Sequence, residues 1–207
     1  MIVEFIFRWF HVLAGIVWIG MLYYFNFVQT EYFKEAEAGA KADAMKKLAP
    51  RALKWFRYGA LVTFLTGLGL LHFVNAFANA NITALILMGA LTGTLMFLNV
   101  WLVIWPKQKI VLGMKEGDGP AAAAKAGLAS RTNTLFSGPM LLGMLGSQSL
   151  SSMTPVSTTG LTAACGLIIL LELNALFGRM GPMASVVGVV HMSILLTGVI
   201  WALLAYL

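Results

Sequence analysis

The sequence predicts an all-α, polytopic membrane helix bundle of about six transmembrane helices with both termini outside, and three observations predict it. Hydrophobic residues make up 59% of the chain and charged residues only 11%, where ordinary soluble domains carry about 25% charged residues. Apolar runs recur along the chain, most of them long enough at 1.5 Å per residue to cross a hydrocarbon core about 30 Å thick. The basic residues gather in alternate loops. Of fourteen Lys and Arg residues, seven lie between Lys34 and Arg57, five between Lys107 and Arg131, and one is Arg179. The positive-inside rule then makes loops 29–54 and 106–131 cytoplasmic. No stretch is left over for a soluble domain, so residues 1–207 are expected to form a single transmembrane domain. The net charge of +6 is accounted for by these loops and does not point to nucleic acid.

The first expected span, 2–28, is the most informative. Its Glu4, Arg8 and His11 fall at i, i+4 and i+7 on one helical face, continued inward by Gly15 and Trp18. An ionisable side chain in the bilayer costs about 2.5 kcal/mol or more, so this face points to a protein interior. Glu4 and Arg8 lie near enough to the helix end to snorkel and pair with each other. His11 sits about 13 Å below the start of the run, too deep to snorkel, and needs a buried hydrogen-bond partner or a metal. No basic region precedes this long apolar core, so it does not read as a cleavable signal peptide. Residues 29–54 read as a water-exposed helical extension broken near Gly39, with Pro50 close to its end.

The second span, 55–77, contains Thr63, Thr66, Gly67, Gly69, His72 and Asn75, and a polar turn at Asn79-Ala80-Asn81 leads to the third, 82–105. There Gly89 and Gly93 form a small-xxx-small pattern that lets two helices approach closely. Pro106 is expected to end that span, and Asp118-Gly119-Pro120 to start a helix before an alanine run. The fourth span, 135–150, is short and holds Pro139, Gly143, Gly146 and Gln148, which predicts a kinked helix packed among others. A Ser/Thr-rich turn at 151–159 precedes the fifth span, 160–177, and the turn from Gly178 to Pro182 leads to the sixth, 184–207. Trp9, Trp55, Trp101, Trp105 and Trp201 stand near predicted ends and read as interface anchors. The single cysteine, Cys165, excludes an internal disulfide, a CxxC zinc site and a CxxCH haem attachment.

Depth arithmetic selects the polar residues that could meet. His11 and His72 lie within about 5 Å of the same depth on neighbouring antiparallel helices, an arrangement that holds a haem b on edge through two axial ligands. Both are therefore candidate metal ligands, with Arg8 and Trp18 beside the cofactor; a histidine bonded within the core is the plainer alternative. His191 lies roughly 10 Å deeper than His11, closer to Glu172. Those two could form a catalytic pair that moves protons, or Glu172 could reach Arg179 at i+7. Arg8 is the one basic residue on the outer side, so a specific partner is expected for it, either Glu4 or an acidic group on a cofactor.

Three blocks carry a family resemblance. They are Arg8-Trp9-Phe10-His11-Val12-Leu13-Ala14-Gly15-Ile16-Val17-Trp18-Ile19-Gly20 with Tyr24-Phe25-Asn26-Phe27, then Asn99-Val100-Trp101-Leu102-Val103-Ile104-Trp105-Pro106 with Gln108, and Ala129-Ser130-Arg131-Thr132-Asn133 through Ser137-Gly138-Pro139-Met140. Together they resemble the membrane domain of the bacterial membrane-bound urate oxidase (urate hydroxylase) family, and cover the chain from its start to about Met140. The first block is also similar, more distantly, to membrane-bound protoporphyrinogen oxidase and copper-resistance membrane proteins. The resemblance implies a bacterial inner-membrane oxidoreductase of electron transport, with His11 as a haem ligand and Arg8, Asn26, Asn99, Arg131 and Asn133 as polar lining. Longer members of that family end in a cytochrome c domain, whereas this chain has no CxxCH, which makes it resemble a short form. The leading expectation is a haem b protein passing electrons from a small reduced substrate to a separate c-type cytochrome or the respiratory chain, with Arg8 neutralising a haem propionate. One rival is a non-enzymatic subunit packed in a larger membrane complex or a homo-oligomer through its glycine-rich faces. Another is a small proton-coupled transporter using Glu172 and His191, although no internal repeat of the kind many transporters carry is evident.

Overall fold

The computed structural model describes residues 2–73, 83–150 and 157–207. All regular structure among them is helical. Two antiparallel hairpins form the frame. In the first, α1 (Ile2–Tyr23) continues through a π-helical stretch, Tyr24–Gln29, into α2 (Thr30–Glu35); α3 (Ala38–Asp43) and a second π-helical stretch, Ala44–Leu48, lead to α4 (Ala49–Phe73), which returns along α1. In the second, α5 (Ala84–Leu98) passes through π-helical Asn99–Ile104 into α6 (Trp105–Val111), and α7 (Gly119–Ser149) returns along α5. α8 (Thr158–Phe177), a 3₁₀ turn at Gly181–Ala184 and α9 (Val186–Tyr206) complete the bundle, with α9 packed on α7.

Among the described residues, five helical stretches are long and apolar enough to cross a membrane: Ile2–Glu35, Ala38–Phe73, Ala84–Val111, Thr158–Phe177 and Val186–Tyr206. The exception is α7, and its packing explains why. It touches α5, α6, α8, α9 and α1, so little of its surface needs to be compatible with lipid. Its buried residues include Thr132, Asn133, Thr134 and Ser137 among Leu128, Leu135, Phe136 and Met140, and the three hydroxyls bond to carbonyls of α7 itself. The fourth expected span, 135–150, is the second half of this 31-residue helix. Pro139 lies inside it without ending it, and Arg131, expected in a cytoplasmic loop, sits buried in its middle.

Side-chain caps start the helices where the chain enters them. Thr83 accepts from Ile86 N, Asp118 from Ala121 N, Ser157 from Gly160 N and Ser185 from Gly188 N, each filling an amide left open in a first turn. Asp118 and Pro120 do start a helix, as their order predicts. Pro106 does not end one: π-helical Asn99–Ile104 immediately precedes it, and that wider turn carries the helix through to Val111. The break expected near Gly39 falls at Ala36 and Glu37, which are extended, with ψ of 139° and 151°.

Glycines set the closest helix contacts. A Cβ on Gly143 would lie 2.5 Å from Gly89 Cα, so the small-xxx-small segment of α5 meets α7 backbone to backbone. At Gly59 a Cβ would lie 3.1 Å from Trp18 N, so α4 also approaches α1 closely, though less so. The two hairpins are tied near the basic loops by Tyr23 Oη to Ser137 Oγ at 2.8 Å and by Asn26 Nδ2 donating to Ser130 Oγ at 2.8 Å. Asn26 also donates to Leu22 O, a carbonyl beside the π-helical turn. Phe64 and Phe97, stacked at 4.1 Å, join α4 to α5. Towards the opposite end of the bundle the hairpins separate and leave a cavity.

Candidate functional site

The cavity has a volume of about 410 Å³ and lies between α1 and α4 on one side and α5 and α7 on the other. Arg8, His11 and Trp18 line it from α1, Thr63, Phe64 and Gly67 from α4, Thr94 from α5, and Met140, Met144 and Gln148 from α7. The rest of its wall is mainly apolar, with four leucines, which suits a largely apolar ligand with a few polar anchors.

His11 owes its position to the glycine and threonine face of α4. Gly67 leaves room for the ring: a Cβ there would lie 3.1 Å from His11 Cε1. His11 Nδ1 is 2.8 Å from Thr63 O and 3.2 Å from Thr66 Oγ1. A carbonyl can only accept, so Nδ1 carries the hydrogen, and in the neutral ring Nε2 keeps its lone pair. Among the described residues no protein group bonds Nε2. A ring held by its other nitrogen on a backbone carbonyl is the usual state of a metal-ligating histidine, so Nε2 is a donor that could hold haem iron.

Trp18 is 2% exposed, and its Nε1 has no hydrogen-bond partner among the described residues although it lines the cavity. A buried indole N–H normally finds an acceptor; a ligand in the cavity would provide one. At the far end of the same face Arg8 Nη2 donates to Glu4 Oε1 at 2.7 Å, the pairing the i, i+4 spacing allows. Arg8 also lines the cavity and keeps further donors on its guanidinium for an anion.

His72 is not part of this arrangement. His11 is level with Thr63 to Gly67, whereas His72 is five residues past Gly67, about 7.5 Å further along α4 and about 140° round it. Its ring is exposed, packs edge-on against Phe73 and does not line the cavity. Equal depth was inferred from predicted span ends, and residues 74–82, which include Asn75 and the Asn79–Asn81 turn, lie outside the described residues.

Glu172 and His191 also stay apart. His191 is exposed and its Nδ1 bonds Val187 O of its own helix at 2.8 Å. Glu172 is 8% exposed and reaches inward, accepting from Asn99 Nδ2 at 3.0 Å. The same Asn99 amide donates to Asn133 Oδ1, and Asn133 Nδ2 donates to Met96 O, both at 3.0 Å. Thus Asn99, Asn133 and Glu172 form one polar cluster joining α5, α7 and α8 at the start of a π-helical turn, a local geometry common at functional sites. Arg179, the other expected partner of Glu172, is instead held through its backbone by Asn174. Sequence reasoning grouped Asn99 and Asn133 but did not connect them to Glu172, because only the packing of α8 on α5 brings the carboxylate to them. Met140 and Met144 were not singled out either, since methionine in an apolar run carries no polar signal.

Fold and cavity together are those of a multi-pass helical membrane bundle with an internal cavity. Residues 75–155 match the family model described as Urate oxidase N-terminal, which supports a relationship to a urate oxidase family. The matched region contains α5, α6 and all of α7, hence Asn99, Asn133 and one wall of the cavity, while His11, Trp18 and Glu172 lie outside it. No curated protein and no solved structure matches the chain.

Proposed function

We propose that this chain is a membrane-embedded oxidoreductase component, related to urate oxidases, whose cavity would hold a haem b through His11 Nε2. The observation that carries the reading is the bond from His11 Nδ1 to Thr63 O, which leaves Nε2 without a protein partner on a side chain that lines a 410 Å³ cavity. A bound haem b would supply one-electron redox chemistry. The protein's own groups do the rest. Thr63 fixes the tautomer and angle of His11, Trp18 donates its N–H to an acceptor on the ligand, and Arg8 holds an acidic group such as a propionate near the mouth. Glu172, oriented by Asn99, is the candidate to hold and move a proton at its carboxylate. The electron donor is a small reduced molecule, with urate the candidate favoured by the family match, and the acceptor a separate c-type cytochrome or the respiratory chain. The basic loops face the cytoplasm of a bacterial inner membrane in this reading.

The test is a reduced-minus-oxidised visible spectrum of the purified protein, expressed with ample haem, beside His11→Ala and His72→Ala. The expected result is a b-type α-band that is lost in His11→Ala and kept in His72→Ala. A colourless wild type, or a band that survives His11→Ala unchanged, would overturn the assignment.

A further inference from the structure

At the end of the bundle that carries the basic loops, hydrogen-bond donors gather without an acceptor. Arg57 Nε and Trp101 Nε1 are both buried and have no partner among the described residues. They are close together: Arg57 Cζ lies 3.4 Å from the ring centre of Trp105 and 5.7 Å from that of Trp101. Lys109 Nζ approaches the same Trp105 ring at 5.8 Å. Arg8, Lys34 and Lys47 pair with Glu4, Glu31 and Asp43 one helical turn away, whereas Arg57 and Arg131 are the described basic residues with a buried nitrogen that has no partner. Among the described residues no carboxylate pairs with Arg57 or Lys109. A guanidinium whose carbon lies 3.4 Å over an indole ring is held in place and presents its donors as a fork, which suits a phosphate better than a point charge would.

The surroundings identify the source of that phosphate. Lys54, Trp55 and Tyr58 line a hollow of about 330 Å³ beside Arg57. Tyr58, Val62 and Leu65, at i, i+4 and i+7, are 48%, 39% and 55% exposed and form an apolar stripe running from Arg57 along α4 away from the basic loops. On the neighbouring helix Leu98 and Leu102 are 39% and 68% exposed. Phosphate-binding groups at the end of a lipid-facing stripe match a phospholipid, headgroup and acyl chain together.

We propose that Arg57, with Trp101 and Lys109, binds the phosphate of an anionic phospholipid whose chains lie along Tyr58, Val62 and Leu65. The full-length protein, stripped of lipid in neutral detergent, is titrated with phosphatidylglycerol, phosphatidylcholine or inorganic phosphate, and bound lipid is counted by native mass spectrometry. Wild type is expected to retain phosphatidylglycerol in preference to phosphatidylcholine, and Arg57→Gln to bind it about tenfold more weakly. Arg51→Gln, an exposed charge in the preceding turn, is expected to bind as wild type does. Equal binding by wild type and Arg57→Gln, equal retention of phosphatidylcholine, or full displacement by millimolar inorganic phosphate would each overturn the proposal. Should Arg57→Gln fail to fold, Lys109→Gln decides: a loss of about fivefold supports the site, and no loss overturns it.

Discussion

The contact between Gly89 and Gly143 gives a direct test of how the cavity is built. In Gly143→Ala the new Cβ would stand 2.5 Å from both Cα and N of Gly89 and 2.6 Å from Leu85 O, where ordinary contact begins at 3.4 Å. These are backbone atoms, so no side chain can rotate out of the way, and α5 and α7 must part by roughly 1 Å. Overpacking of this kind costs about 1–3 kcal/mol. Alanine also favours a helix over glycine by up to about 1 kcal/mol, which would mask part of that cost. Gly166→Ala in α8 is the matched control, because a Cβ there meets nothing within 4 Å and gains the same propensity. Subtracting one from the other leaves the steric cost alone, so Gly143→Ala should unfold about 1–3 kcal/mol more readily in a denaturant titration in mixed micelles. Met140 and Met144 flank Gly143 and line the cavity, so ligand binding should weaken as well. Equal stability of the two variants, within about 0.5 kcal/mol, would refute the reasoning that this backbone contact sets the spacing of the wall.

Other outcomes follow from single contacts. Asn99→Leu removes the amide shared by Asn133 and Glu172 and should destabilise the fold by about 1–3 kcal/mol in the same titration. Replacing Glu172 by Gln in that background should recover part of the loss, since a neutral side chain is less costly to leave without a donor; no recovery would mean that Asn99 does not act through the carboxylate. Tyr23→Phe breaks the bond to Ser137 between the hairpins and should cost about 0.5–1.5 kcal/mol, with Ser137 keeping its own bond to Thr134 O. Gly67→Ala would press a Cβ to 3.1 Å from His11 Cε1. If haem is held by His11 as proposed, this variant should shift the α-band while leaving helix content unchanged by circular dichroism, and an unaltered band would argue against His11 as the ligand.

Which parts of this were legible in the sequence depends on how local the cause is. Composition decided the all-helical membrane class, because lipid penalises exposed polar backbone and long apolar helices are the simplest way to satisfy it. Spacing placed Glu4, Arg8, His11 and Trp18 on one face of α1, since helical periodicity is a local property, and the structure does put Arg8, His11 and Trp18 on one cavity. The cap at Asp118 and the small residue Gly89 were readable for the same reason. The tertiary structure decided everything that depends on which helix lies beside which. Depth counting matched His72 to His11, yet α4 turns His72 away because rotation about a helix axis is fixed by packing, not by rise. It also linked Glu172 to His191 or Arg179, whereas the fit of α8 against α5 gives the carboxylate to Asn99. And α7, the least lipid-like of the long helices, became the most enclosed, because a helix covered by neighbours is selected for close approach and internal hydrogen bonds and has no need of an apolar surface.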